Sequence, residues 1–456
     1  MNLQFRARVQ ALRSSYWFIP SLMAIGALLL GTGMIWLDVR LGTSWLKGVS
    51  WYQQVQADGA REVLSTIAGS MITVAGVVFS ITIVALSYAS SQYGPRVLTN
   101  FMTDRGNTVT LGTFIATFLY CLMVLRTIRA GDQDGFVPQL AVMAGMVLAL
   151  CSIGVLIYFI HHVPQTIHIN NVVARIGRQL IGDAEERFPA LIGNPQPSRM
   201  AHDAVDEAGR GRRFEGVRSV VTGYVQSIDQ DGLLELARGA DVLVRLRYRP
   251  GDFIVAGRVL ADIAPPEAVT DRLRDELRQC FGTGNKRTPE HDIMFLVSEL
   301  VEIAARALSP GVNDPMTAIT CLDWLGAAGS QFARREMPAA ARVDASGTVR
   351  VIALPIDFEG FVEQSFGRLR HYAAADMIAG LHMLRVFGEL AATCVRAEQV
   401  ELLAREAGRF ADLAGGKLEG ADADAVRHRA TQLQAMLAGG VDEIDAKQSR
   451  WLGGSA

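Results

Sequence analysis

The stretch VLSTIAGSMITVAGVVFSITIVALSYA, residues 63–89, determines the class of this protein. It contains no Asp, Glu, Lys or Arg, and it is longer than the roughly 20 apolar residues that an α-helix needs to cross the hydrocarbon core of a bilayer. A charge at the centre of such a helix costs about 3 kcal/mol. The complete absence of charge therefore predicts a transmembrane helix and an integral membrane protein.

Three further segments share this apolar, uncharged character. They cover residues 16–37, 107–125 and 136–160. Four spans place both chain termini on the same side of the membrane. Near the span ends, seven Lys and Arg residues lie on the side of the termini and five on the opposite side. Because positive charge collects in cytoplasmic segments, this bias favours both termini in the cytoplasm.

A row of hydroxyl side chains distinguishes the stretch 63–89 from the other three spans. The row recurs at helical spacing and consists of Thr66, Ser70, Thr73, Ser80 and Ser87. In one interpretation the row packs closely inside the bundle, and each hydroxyl bonds to a carbonyl of the preceding turn. In the other, the row lines a water-filled pore. Such a pore requires several subunits, because four helices enclose little volume.

The polar sequence SSQYGPR, residues 90–96, marks the end of this helix, because Gly-Pro interrupts helical hydrogen bonding. One interpretation is a capped turn whose arginine extends to the lipid headgroups. The other is a cytoplasmic gate or a contact with anionic lipid. The residues assigned to the gate or lipid contact are Ser91, Gln92, Tyr93, Arg96 and Arg105.

The predicted fold class is an α-helical membrane protein with four transmembrane helices and a mixed α+β cytoplasmic region. The transmembrane domain covers residues 1–162, and an amphipathic connecting helix follows at 163–193. Residues 194–216 read as a linker. Residues 217–264 show the period-two alternation of strands and predict a small β-barrel-like module. Residues 265–456 predict a mainly helical C-terminal domain.

A second polar turn, SPGVNDP at residues 309–315, joins two predicted helices. Asp314 suits the cap of the second helix and Pro315 suits its first turn, so the simpler interpretation is the turn of an αα-hairpin. The alternative is a site for a cation or a partner segment. That site would consist of Glu299, Asn313 and Asp314.

Composition and motifs argue against several classes of function. A net charge of −2 gives no support for nucleic-acid binding. The five cysteines are far apart and form no CxxC or Cys/His cluster, so neither a metal nor a cofactor is expected. The sequence has no phosphate-binding loop and no GxGxxG, HExxH or GxSxG motif, and it is therefore not expected to be an enzyme.

With these motifs placed, the chain resembles a bacterial family of predicted membrane proteins, domain of unknown function family 2254. The resemblance covers most of the chain. It runs through residues 79–105, the strands at 223–226 and 249–252, and the segment 307–315. It implies a multi-pass protein of the bacterial inner membrane, and it implies no activity and no catalytic residues.

Two functional hypotheses follow. The first is a homo-oligomeric inner-membrane channel for ions or small solutes, surrounded by the lipid bilayer and carrying a cytoplasmic regulatory domain. The second is a membrane-anchored scaffold or sensor whose cytoplasmic domain binds a protein partner, in which case the hydroxyl row only packs the bundle. A transporter is less favoured, because the predicted spans contain no carboxylate for ion coupling.

Overall fold

The computed structural model describes residues 17–41, 56–93, 104–129, 136–188 and 210–439, with side chains described as far as residue 88 in the second range. The chain divides into two compact units, Met1–Asn171 and Val172–Ala456. Each unit has its own hydrophobic core.

Among the described residues, the first unit contains four helices that are long and apolar enough to cross a membrane, which confirms the four predicted apolar helices. The helices are α1 Phe18–Leu41, α2 Ala57–Tyr93, α3 Arg105–Thr127 and α4 Gln139–Ile167. Helix α3 packs against the other three and is therefore the centre of the bundle. Its side chains Phe114 and Tyr120 are fully buried, and the Tyr120 hydroxyl donates to the carbonyl oxygen of Ala141 at 2.9 Å.

All four helices extend beyond at least one of their predicted ends, and α1 and α4 do so with consequences for the bundle. Helix α1 does not stop at residue 37 but continues to Leu41 and includes Asp38. The Asp38 carboxylate is buried, and it accepts hydrogen bonds from the backbone N–H groups of Leu140 and Ala141 at 3.0 and 2.9 Å. These groups lie in the first turn of α4, where no intrahelical partner exists. Helix α4 in turn continues through Pro164 to Ile167.

The second unit begins within α5, Ile169–Arg187. This helix is amphipathic, and its buried side chains include Val173, Ile176 and Leu180. Gly177 lies on the same face against the indole of Trp324, and a Cβ at this position would come within 2.3 Å of the Trp324 ring. Only glycine therefore allows α5 to approach this closely.

In the described part of the second unit, eight strands form two sheets. In chain order the strands are β1 Glu215–Arg218, β2 Gly223–Ile228, β3 Leu243–Leu246, β4 Phe253–Ile254, β5 Val259–Ala264, β6 Phe281–Gly284, β7 Ala341–Val343 and β8 Val349–Ile352. One sheet has the order β1-β5-β3-β8-β7 and the other has the order β4-β2-β6. Two helices pack among these strands, α6 Gln230–Gly239 and α7 Asp271–Gln279.

The predicted β-barrel-like module is not confirmed, because the described strands form two open sheets. The two strands on either side of Gly257 both pair with the segment 215–228: β5 pairs with β1, and β4 pairs with β2. The first sheet also includes β8, which pairs in parallel with β3 through Val244 and Val351.

The remainder of the second unit is helical, as predicted. Its helices are α8 Ile293–Ala307, α9 Pro315–Arg334, α10 Phe358–Val362, α11 Arg368–Ala373, α12 Met377–Thr393, α13 Ala397–Gly415 and α14 Gly420–Ala438, with a π-helical turn at Glu363–Gly367. Stacked phenylalanines form its core, including Phe332 and Phe361 with ring centroids 4.5 Å apart. Between Gly415 and Gly420 the chain turns, and α14 begins there.

Candidate functional site

The hydroxyl row of α2 faces away from the other helices of its own chain. All five of its members, Thr66, Ser70, Thr73, Ser80 and Ser87, are exposed. The opposite face contains the buried side chains Ala68, Met71, Ala75 and Val78. Successive residues of an α-helix are rotated by 100°, so Thr73 and Ala75 lie on nearly opposite faces. The buried face therefore packs the bundle, and the hydroxyl row takes no part in that packing.

Two hydroxyls of the row bond to their own helix. Thr73 Oγ1 donates to the carbonyl oxygen of Gly69 at 2.8 Å, and Ser80 Oγ donates to that of Gly76 at 2.9 Å. A hydroxyl that donates a hydrogen bond still has lone pairs on its oxygen. These lone pairs can accept a hydrogen bond from water or coordinate a cation.

The glycines of the same face leave it open. A Cβ added at Gly69 or Gly76 would meet no atom within 4 Å. Small residues on a transmembrane helix allow another backbone to approach closely. The face is therefore available to lipid, to water or to a second copy of the chain.

The predicted gate or lipid contact lies mostly where no side chain is described. Ser91, Gln92 and Tyr93 belong to the last turn of α2, but their side chains are not described, and Arg96 lies outside the described residues. Arg105 is exposed and is the first residue of α3. The assignment of these residues to a gate remains a prediction.

The second polar turn has the geometry of a helix cap. Asp314 accepts hydrogen bonds from Thr317 through both carboxylate oxygens, from the backbone N–H at 3.1 Å and from Oγ1 at 2.6 Å. Asn313 is exposed and has a left-handed φ of 50°. Glu299 is buried in α8. Among the described residues, no group of three His, Cys, Asp or Glu side chains is placed to hold a metal ion.

Sequence reasoning missed two polar contacts between the helices of the bundle. Thr117 of α3 and Ser152 of α4 are buried and their hydroxyls lie 3.0 Å apart. Asp104 accepts from the backbone N–H of Asn107, which caps α3, and its Oδ1 lies 2.9 Å from Nε2 of His162 in α4. Asp104 is recognisable in the sequence as a cap residue before a span. Its partner His162 is 58 residues away and gives no local signal.

Four helices capable of crossing a bilayer, followed by a mixed α+β unit, are the architecture of a membrane protein. The chain belongs to the family described as predicted membrane protein (DUF2254), whose model matches residues 13–389. The resemblance drawn from the sequence is thereby confirmed.

The relatives of this chain include mycobacterial proteins. An uncharacterized protein of Mycobacterium bovis and one of Mycobacterium tuberculosis are each 31% identical to it over 429 residues. The alignment covers 89% of this chain and 79% of each relative. No solved structure matches the chain.

Proposed function

We propose that this protein is a homo-oligomeric channel of the bacterial inner membrane that conducts ions or small solutes. In this proposal the hydroxyl row of α2 lines the conducting path. Both termini and the second unit are cytoplasmic, and the second unit regulates conduction. The observation that supports the proposal is the exposure of the whole row on the single chain.

Exposed apolar side chains flank the hydroxyl row on both sides of α2, where they can contact other protein or lipid. Ile72, Phe79 and Ile83 are exposed on one side of the row, and Val63 and Ile81 are exposed on the other. The face of the row also includes the exposed Val77 and Val84. A face that carries hydroxyls between two apolar flanks suits a pore helix, since the hydroxyls meet water while the flanks contact neighbouring subunits or lipid. Four helices of one chain enclose too little volume for such a path, so several copies are required.

Cysteine accessibility along α2 tests the proposal. We expect a small, membrane-impermeant thiol reagent to modify cysteines placed at 66, 70, 73 and 80 in the reconstituted protein, because these positions face water in the pore. Cysteines at 67, 71, 74 and 78 are the matched controls, since Met71 and Val78 are buried and Ile67 and Val74 are half-buried. Uniform protection of both sets would contradict a pore and favour the scaffold or sensor.

The buried native cysteines are expected to react slowly in the same experiment at neutral pH. Burial raises the pKa of Cys280 to about 11 and that of Cys394 to about 12, and it also raises the pKa of Cys321. The thiolate is the reactive species, so these thiols should stay unmodified. Mass spectrometry of the wild-type protein after labelling checks this. Cys151 is exposed on α4 and is replaced by serine in the background for the scan.

A further inference from the structure

A corner joins the two sheets of the second unit, and its position is set by the strand pairing. The pairing of β1 with β5 runs to Arg218 opposite Val259, and that of β2 with β4 starts at Gly223 opposite Ile254. Between these points lies the corner, residues 218–222 together with 253–258. The backbone of Ser219 ties its two halves together, donating to the carbonyl oxygen of Arg258 and accepting from the N–H of Gly257, both at 2.8 Å.

Four large apolar side chains project from the corner into solvent. They are Val220, Val221, Phe253 and Val255, with exposed fractions of 67%, 44%, 51% and 48%. Cross-strand packing supports Phe253, because its ring lies 5.0 Å from that of Tyr224 in edge-to-face contact. Gly257 forms the turn beside them with a φ of 88°, a conformation that favours glycine. A cluster of exposed apolar side chains on a fixed backbone indicates an interaction surface.

The charge of the corner is of one sign. The segments 216–228 and 253–261 contain no Asp or Glu. Arg218 and Arg258 are exposed, and within the part of the chain that the structure describes neither forms a salt bridge with a carboxylate. Arg218 instead donates to the carbonyl oxygen of Gly257 at 2.7 Å, which holds its charge at the corner.

We propose that the corner docks onto the anionic surface of the lipid bilayer. Apolar side chains that enter the headgroup region and arginines that meet anionic headgroups are the two contributions that hold peripheral surfaces on membranes. The corner itself, residues 218–222 and 253–258, contains two arginines and no carboxylate, which complements an anionic surface. The four spans also anchor the chain in the membrane, so a bilayer is present at high effective concentration. This inference does not depend on whether the chain conducts.

The test uses the full chain in nanodiscs. An environment-sensitive fluorophore is attached to Val220→Cys in the Cys151→Ser background, and a quencher is placed on the lipid headgroups. We expect strong quenching in discs that contain phosphatidylglycerol, less quenching as salt is added, and little quenching in pure phosphatidylcholine. The same fluorophore on Val343→Cys is the matched control, because Val343 of β7 is 52% exposed. It should show no lipid-dependent quenching.

Removal of the arginine charges should release the corner. Arg218→Gln combined with Arg258→Gln is expected to lower the ratio of docked to free corner about 25-fold, about five-fold for each arginine. Arg258→Gln alone should lower it about five-fold and leaves the bond from Arg218 to Gly257 in place. Equal quenching at 220 and 343, or equal quenching in the two lipids, would overturn the proposal. A third outcome would also overturn it: the fluorophore at 220 is shielded from water in detergent, and the lipid-headgroup quencher does not quench it in nanodiscs. That outcome would assign the corner to a second copy or another protein.

Discussion

Thr73→Phe is expected to reduce the current of the reconstituted protein to background. Thr73 lies midway along α2 and in the middle of the hydroxyl row. The substitution replaces a hydroxyl with a bulky apolar ring. In a symmetric oligomer one substitution adds a ring from every subunit at the same depth. Such a ring of phenylalanines narrows the path and favours its dewetting. Planar-bilayer recordings over a broad panel of ions, together with solute flux into liposomes, measure the effect.

Ile72→Phe is the matched control for this substitution. Ile72 is the preceding residue and lies at nearly the same depth, but it is rotated 100° out of the row. It is 45% exposed, so a larger ring meets lipid or a neighbouring subunit without strain inside the chain. We expect its current to equal that of the wild type. An equal loss in both variants would contradict a pore along the row. A monomer in mild detergent with no current for any ion or solute would remove the channel proposal altogether.

The four spans and the shared face of the row were predictable because both are local properties. The length of a run without charged residues can be read directly from the sequence. Residues spaced at helical intervals share a face wherever the helix lies. The direction of that face was not predictable. Ala68 and Ala75, which are buried, are small residues like the glycines of the exposed face. Which small face packs inward depends on contacts with α3 and α4, and those contacts are not encoded within α2 alone.

The strand partners were not predictable for a similar reason. Period-two alternation identifies strands in residues 217–264, but it does not identify their neighbours. One neighbour is β8, which pairs with β3 from more than 100 residues further along the chain. The turn between α13 and α14, by contrast, had a local signal. Gly415, Gly416 and Gly420 lie close together, and Gly420 has a φ of 57°.

The C-terminal end of α1 differs from its predicted position because Asp38 contacts a segment far away in the sequence. The hydropathy of the sequence predicted that the helix ends before Asp38, since a carboxylate is unfavourable in the membrane. The structure offsets that unfavourable term with two N–H donors from the start of α4, 102 and 103 residues away. The carboxylate also carries negative charge at the N-terminus of α4, where the helix dipole favours it. Neither contribution is visible in the sequence around residue 38.

Asp38→Ala should therefore destabilise the four-helix bundle by about 3 kcal/mol, because it leaves two buried N–H donors without acceptors, each worth roughly 1–3 kcal/mol. Unfolding of the purified protein in mixed micelles, followed by helical circular dichroism, measures the change. Asp38→Asn keeps one acceptor oxygen and should lose about half as much. Asp58→Ala is the control: its side chain is 95% exposed and 3.8 Å from Arg61, so its effect should stay within about 0.5 kcal/mol. If Asp38→Ala and Asp58→Ala unfold alike, the carboxylate of α1 does not hold α4 in place.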